Sequence, residues 1–216
     1  MSQFLPISSP LCPSCGIPFQ TQEDRDHVCQ ECIARPRRFV SARSAAAYDG
    51  ILRTAVHLLK YEGKIQLARP MGRLLFPLFR QLMDQRPVDR ILPVPLHTSR
   101  LRKRGFNQAD LLIREWEQLL AREKPDKEFP PIRRGWLKRV RKTPPQTGMG
   151  KEERRKNIRG AFQVEPRANV KGKWILLVDD VYTTGATLDE CARSLLSAGA
   201  AGILALTVAR TLQGGR

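Results

Sequence analysis

The chain has 216 residues, 41% of them hydrophobic, with 38 Lys and Arg against 21 Asp and Glu, a net charge of +17 and a pI near 10.5. That length suits one α/β domain with a small appendage, and the hydrophobic share excludes global disorder, so the surplus charge speaks of polyanionic partners rather than of fold. With no basic-then-apolar leader and no apolar run long enough to span a bilayer, the expectation is a cytoplasmic protein with reduced thiols and no membrane insertion.

Cys12, Cys15, Cys29 and Cys32 come first along the chain, in a C-x2-C-x13-C-x2-C pattern. Each pair presents two thiolates from one tight knuckle, and two knuckles complete a tetrahedral Zn²⁺ site. Four thiolates leave no open position, so the metal is expected to be structural. Two disulfides or reactive thiols are the alternatives, the first disfavoured by the compartment; His27 lies between the knuckles as a substitute ligand. Residues 1–36 are too few for a core of their own, so the metal would hold them as a module, with 37–216 as the main domain. Cys191 shares a helix face with Leu188, Ala192, Leu195 and Leu196 and reads as a buried, inert thiol.

Ala45–Tyr48 reads as a strand ending in a turn at Asp49 and Gly50. Ile51, Leu52, Ala55, Leu58 and Leu59 fall at helical spacing, with Arg53, His57 and Lys60 on the solvated face. A second helix spans about 66–83. Arg90–His97 reads as a strand interrupted and ended by Pro93 and Pro95, and strand carboxyl ends are where open α/β sheets bind ligands. Ala109, Leu112, Ile113, Trp116 and Leu120 predict one helix from Phe106 to about Arg122, with a loop over 123–136. Cations concentrate twice: Arg100, Arg102, Lys103 and Arg104 within five residues, and eleven Lys and Arg against Glu152 and Glu153 between Arg133 and Arg159, a local net of +9. The stretch 137–151 carries two prolines and two glycines and reads as mobile.

The most informative run is Ile175 to Thr187. Ile175–Val178 has the apolar character of a buried parallel strand. Asp179 and Asp180 stand where it should end, and Thr183, Thr184, Gly185, Ala186 and Thr187 lead into a helical pattern. Backbone N–H groups and hydroxyls at a helix N-terminus cradle a phosphate, and paired acids hold vicinal hydroxyls directly or through a divalent metal; together they suit a phosphorylated sugar. A buried strand ending in a solvated turn explains single residues here but not their order. An apolar strand ending in two acids also fits a nucleotide triphosphatase, yet no Gly-x-x-x-x-Gly-Lys-Ser/Thr exists; Gly148-Met149-Gly150-Lys151-Glu152 lacks the spacing and the hydroxyl.

This run resembles the phosphoribosyl-pyrophosphate (PRPP) motif of the type I phosphoribosyltransferases. The resemblance implies that Asp179, Asp180, Val181, Tyr182, Thr183, Thr184, Gly185, Ala186 and Thr187 bind PRPP with Mg²⁺, the acids on the ribose hydroxyls and Thr183–Thr187 around the 5′-phosphate. It extends to the Val94-Pro95 strand, whose following loop in that family holds pyrophosphate, here His97, Thr98, Ser99 and Arg100; a basic loop before a helix is the plainer alternative. The cation-rich segment matches the family's closing loop, with Arg100, Arg141 and Lys142 as pyrophosphate stabilisers.

The whole chain resembles the ComF family in Tyr48–Arg53, His57–Tyr61, Pro93–His97, Arg100–Ala109 and Asn157–Phe162, which occur in the family's order. The implied fold is a doubly wound, type I phosphoribosyltransferase-like parallel sheet with an N-terminal zinc module. The implied setting is bacterial natural transformation, with a competence DNA helicase as partner and single-stranded DNA held by Arg102, Lys103, Arg104, Arg139, Arg154, Arg155 and Arg159; for the last three, pyrophosphate is the alternative ligand. The resemblance leaves open phosphoribosyl transfer to an unidentified acceptor, a PRPP-sensing single-stranded DNA-binding protein without turnover, and a transferase of nucleotide metabolism unrelated to DNA. Aromatic residues are only 6% of the chain, which offers few stacking platforms for bases.

Overall fold

The computed structural model describes residues 4–19, 25–144 and 150–212. Four strands form one parallel sheet: β1 (Ser41–Ala47), β2 (Arg90–Pro93), β5 (Trp174–Tyr182) and β6 (Gly202–Arg210), in the order β1-β6-β5-β2. A short antiparallel ribbon, β3 (Leu137–Arg139) with β4 (Phe162–Val164), stands beside it.

Alternation along the central strands builds the two core layers. Ile175 and Leu177 of β5, with Ile203 and Ala205 of β6, face helix α8 (Ala186–Ser197) and the N-terminal cysteines. Leu176, Val178, Leu204 and Leu206 face the opposite layer, made by α2 (Gly50–Glu62), α3 (Ala68–Gln85), α5 (Gln108–Leu112) and α6 (Trp116–Glu123). The chain crosses from β1 to the far strand β2 through α2 and α3, then steps back from β5 to β6 through α8. Right-handed crossovers in opposite directions place their helices on opposite faces, which is what doubly wound means here.

The structure departs from the sequence expectations in several places. The early strand starts at Ser41, because the buried hydroxyls of Ser44 and Thr207 pair at 2.6 Å and let polar residues enter the sheet. The helix expected over 106–122 is two, α5 and α6. A Cβ on Gly72 of α3 would lie 2.1 Å from the Leu112 carbonyl, so the helices meet backbone to backbone there, and Trp116 turns to donate its indole N–H to the Gly72 carbonyl at 3.0 Å. Of the stretch 137–151, residues 145–149 lie outside the described residues; strand β3 forms its start, and helix α7 (Lys151–Ile158) begins at its end. Nothing in the patterns above singles out β6, all nine of whose residues are buried.

The N-terminal segment lies against the sheet. Ile7 N–H donates to the Ala45 carbonyl at 3.1 Å, Ala47 N–H to Leu5 at 2.8 Å and Ala42 N–H to Ser14 at 2.8 Å. Cys12, Cys15 and Cys32 share the apolar layer of α8. Among the described residues no helix is long and apolar enough to cross a membrane.

Candidate functional site

All four parallel strands end on one edge, and the site forms there. Strand β5 does not stop at Val178 but runs through the acids to Tyr182, so β6 holds both carboxylates in register: Asp179 pairs with Thr207. Asp180 is 4% exposed and its Oδ2 lies 2.7 Å from Lys60 Nζ on α2. That contact is an ion pair without good hydrogen-bond geometry, so Oδ2 keeps a lone pair unmet. Burial first, and then the Asp180 charge, push the Asp179 carboxyl up to about 7, with Lys60 pulling the other way. For Lys60 burial works against the ammonium, but Asp180, Asp179 and Tyr48 together raise the pKa.

Beyond Tyr182 the chain turns through Thr183, Thr184 and Gly185 into α8. Gly185 sits at φ 75°, and a Cβ there would lie 2.3 Å from the Tyr182 hydroxyl, so both conformation and space require glycine. Among the described residues no side chain caps this N-terminus beyond a long 3.4 Å approach of Ala186 N–H to Thr184 Oγ1. A small hollow lined by Asp179, Val181, Tyr182, Thr183, Gly185, Ala186 and Thr187 opens over these N–H groups. Oriented amides at the positive end of a twelve-residue helix suit a phosphate.

The expected pyrophosphate loop is the start of a short helix, α4 (Thr98–Arg104), capped by His97, whose ring accepts from Ser99 N–H at 3.2 Å. His97 bridges Arg139 of β3 through the backbone, which brings the ribbon to this edge. Arg100 donates to the Thr143 carbonyl at 3.1 Å, while Arg139 reaches the Thr143 hydroxyl and lies 5.5 Å from the Phe162 ring centroid. Arg139 is 8% exposed, and burial, then neighbouring Arg100, lower its pKa. Both guanidiniums thus converge on one buried threonine, and Arg139, expected on a DNA-facing surface, faces inward.

Other expected cations divide. Arg141 caps the carboxyl end of α7, donating to the Asn157 carbonyl at 2.8 Å and the Arg159 carbonyl at 2.6 Å, and Arg155 pairs with Glu31 at 3.1 Å and Glu152 at 2.8 Å. Arg104 is half-buried and donates to Gln108. Arg102, Lys103, Lys142 and Arg159 stay exposed; Arg154 is half-buried. Sequence reasoning missed Arg37. Its side chain is 4% exposed and joins Glu31 of the cysteine segment, at 2.7 Å, to the Thr184 carbonyl of the phosphate loop, at 3.3 Å.

The ligand atoms of Cys12, Cys15, Cys29 and Cys32 all lie within 4.8 Å of one another, with Cys15 and Cys29 sulfurs 3.7 Å apart. Tetrahedral zinc with thiolates at about 2.3 Å needs sulfurs just under 4 Å apart, so the set can hold a metal such as zinc. The Cys15 and Cys29 N–H groups each point at Cys12 Sγ at 3.5 Å; against burial, these bonds bring that thiol down to about 7.

A doubly wound sheet whose third strand in the order ends in two acids and a glycine turn, joined to four clustered cysteines able to hold a metal, defines a type I phosphoribosyltransferase-like protein. Residues 118–215 match the family model described as phosphoribosyl transferase domain. The DNA utilization protein YhgH of Escherichia coli (strain K12) is 34% identical over 208 residues, covering 94% of this chain and 85% of that one. Competence protein F of Haemophilus influenzae is 29% identical over 196 residues (89% and 81%), and competence protein ComFC of Bacillus subtilis 27% over 217 (97% and 82%). The chain belongs to the ComF family.

Proposed function

We propose that the protein binds PRPP with Mg²⁺ at the β5 edge and single-stranded DNA on its exposed cations, in the uptake or use of DNA within the cytoplasm. The relatives' names, competence protein and DNA utilization protein, support that setting. The observation that carries the PRPP reading is the junction of the acid pair with an α8 N-terminus that no side chain among the described residues caps. In this reading Asp179 and Asp180 accept hydrogen bonds from the ribose hydroxyls, and the Thr183–Thr187 amides and hydroxyls hold the 5′-phosphate. Arg100 and Arg139 lie where a pyrophosphate can take over their bonds to Thr143. Mg²⁺ would supply charge neutralisation to the diphosphate. The protein's own work is positioning and electrostatics, holding ribose C1 open to attack while the C1–oxygen bond to pyrophosphate breaks. Zinc on the four cysteines serves structure, and a DNA helicase remains the proposed protein partner.

A second reading, binding without transfer, is favoured by the Lys60 ammonium, which already occupies Asp180. Calorimetric titration of Mg²⁺ and PRPP, repeated with single-stranded DNA and a pyrophosphate assay, separates them. Binding with DNA-dependent pyrophosphate release supports transfer, binding alone supports a sensor, and no binding refutes the PRPP reading.

A further inference from the structure

Helix α2 leaves the ligand edge directly after β1. Its apolar side, Leu52, Val56 and Leu59, enters the core. Its outer side carries two rings one turn apart: His57 and Tyr61, centroids 4.8 Å apart and tilted by 43°. Tyr61 is 67% exposed. The Arg104 guanidinium, from the end of α4, stands 5.8 Å from the centre of the same ring. An imidazole and a guanidinium therefore hold the tyrosine in place while most of its surface stays open.

Neighbours of this ring reach the acid pair. Lys60, the preceding residue, is the one that reaches Asp180, and Arg104 lies within electrostatic range of Asp180 and Asp179. The two helices also carry exposed cations, Arg53 on α2 with Lys64 just beyond it and Arg102 and Lys103 on α4, against one exposed acid next to the ring, Glu62. An open aromatic face surrounded by cations suits a base with phosphates running away from it: bases stack on the ring, and the charges track the backbone.

We infer that Tyr61, steadied by His57 and Arg104, is a stacking platform for a nucleobase at the mouth of the acid-pair site. The platform itself stands on α2 and α4; only its placement against a ribose rests on the PRPP reading. The base can belong to a free acceptor brought to ribose C1 or to a nucleotide within a single strand, and both present the same flat face.

The test compares wild type, Tyr61→Phe and Tyr61→Ala in fluorescence-anisotropy titrations with a short oligothymidylate and with an abasic strand of equal length. Calorimetry with adenine and with thymine, each with Mg²⁺ and PRPP present, runs alongside. Tyr61→Ala should lose roughly tenfold in affinity for the base-bearing ligand, with Tyr61→Phe within about twofold of wild type and the abasic strand indifferent to the change. Loss on the free bases assigns an acceptor; loss on the strand alone assigns DNA. Equal affinity of wild type and Tyr61→Ala for every ligand, or an equal loss on the abasic strand, overturns the platform, as does a wild type that binds neither bases nor strand. Should wild type fail to bind PRPP while Tyr61→Ala still weakens the strand, the PRPP reading falls and the platform stands.

Discussion

Two regions of the ligand edge treat charge in opposite ways. At the end of β5, acids are driven inward: Asp180 is 4% exposed, and Asp179 keeps its proton to about 7 because burial and its neighbour oppose ionisation. Along α4, β3 and α7, cations are plentiful, yet many already have acceptors: Arg100 and Arg139 on Thr143, Arg141 on the end of α7, Arg155 on Glu31 and Glu152. The difference teaches that charge counted along a sequence is not charge available to a ligand. The acids are few but placed so that a ligand relieves them, whereas the cations must first be divided into those holding the fold and those facing water.

The largest expected effect comes from the part both regions lean on. Cys32→Ser should release the metal and lower the melting temperature by roughly 10 °C or more, read by metal analysis and calorimetry; retained metal would undo the ligand assignment. Next, Asp179→Ala with Asp180→Ala should weaken PRPP binding by about 100-fold or more. Asp180→Ala alone should also cost about 2 kcal/mol of stability, since it strands the Lys60 ammonium, and Lys60→Met in the same chain should restore much of it.

The acid region has a pH signature of its own. An unfolded Asp sheds its proton near 3.8, whereas Asp179 does so near 7. Its contribution to stability is therefore fully present below about pH 4 and is lost as pH rises through 7. Melting curves of the ligand-free protein should show this decline, Asp179→Asn should flatten it, and PRPP affinity should rise over the same range as the carboxylate becomes available. On the basic side, Arg102→Glu with Lys103→Glu should weaken single-stranded DNA about tenfold at low salt and shallow the salt dependence by about 0.7 for each phosphate contact removed. The smallest effect should be that of Arg155→Ala: under about 1 kcal/mol in stability and under about twofold in DNA affinity, because Glu152 is exposed and half-buried Glu31 keeps its pairing with Arg37. A large loss of DNA binding there would erase the distinction between fold-holding and solvent-facing cations.

What was legible in the sequence is what short-range order encodes. The cysteine spacing anticipated a cluster the structure assembles, and the Ile175–Thr187 order anticipated a strand, a turn and a helix. What was not legible depends on distant partners. Lys60 looked like a solvated helix residue until α2 was laid beside β5, and Arg139 looked like surface charge until β4 put Phe162 against it. Arg37 gave no signal at all, since its two partners are six and 147 residues away. The break between α5 and α6 follows from one absent side chain on another helix, Gly72, which no periodicity within 106–122 registers.

The backbone bonds that residues 5–14 make to β1 carry one more consequence. A four-stranded open sheet has two raw borders, each a template for adding a foreign strand. Here Leu5, Ile7 and Ser14 cover one border, and at the other Ile91 N–H donates to Pro131 and Arg133 N–H to Ile91. The segment that carries the first cysteine pair is thus also a selvedge for the sheet. A shortened chain lacking it would be expected to self-associate through β1, so that turbidity or light scattering would report its loss sooner than any change at the ligand edge.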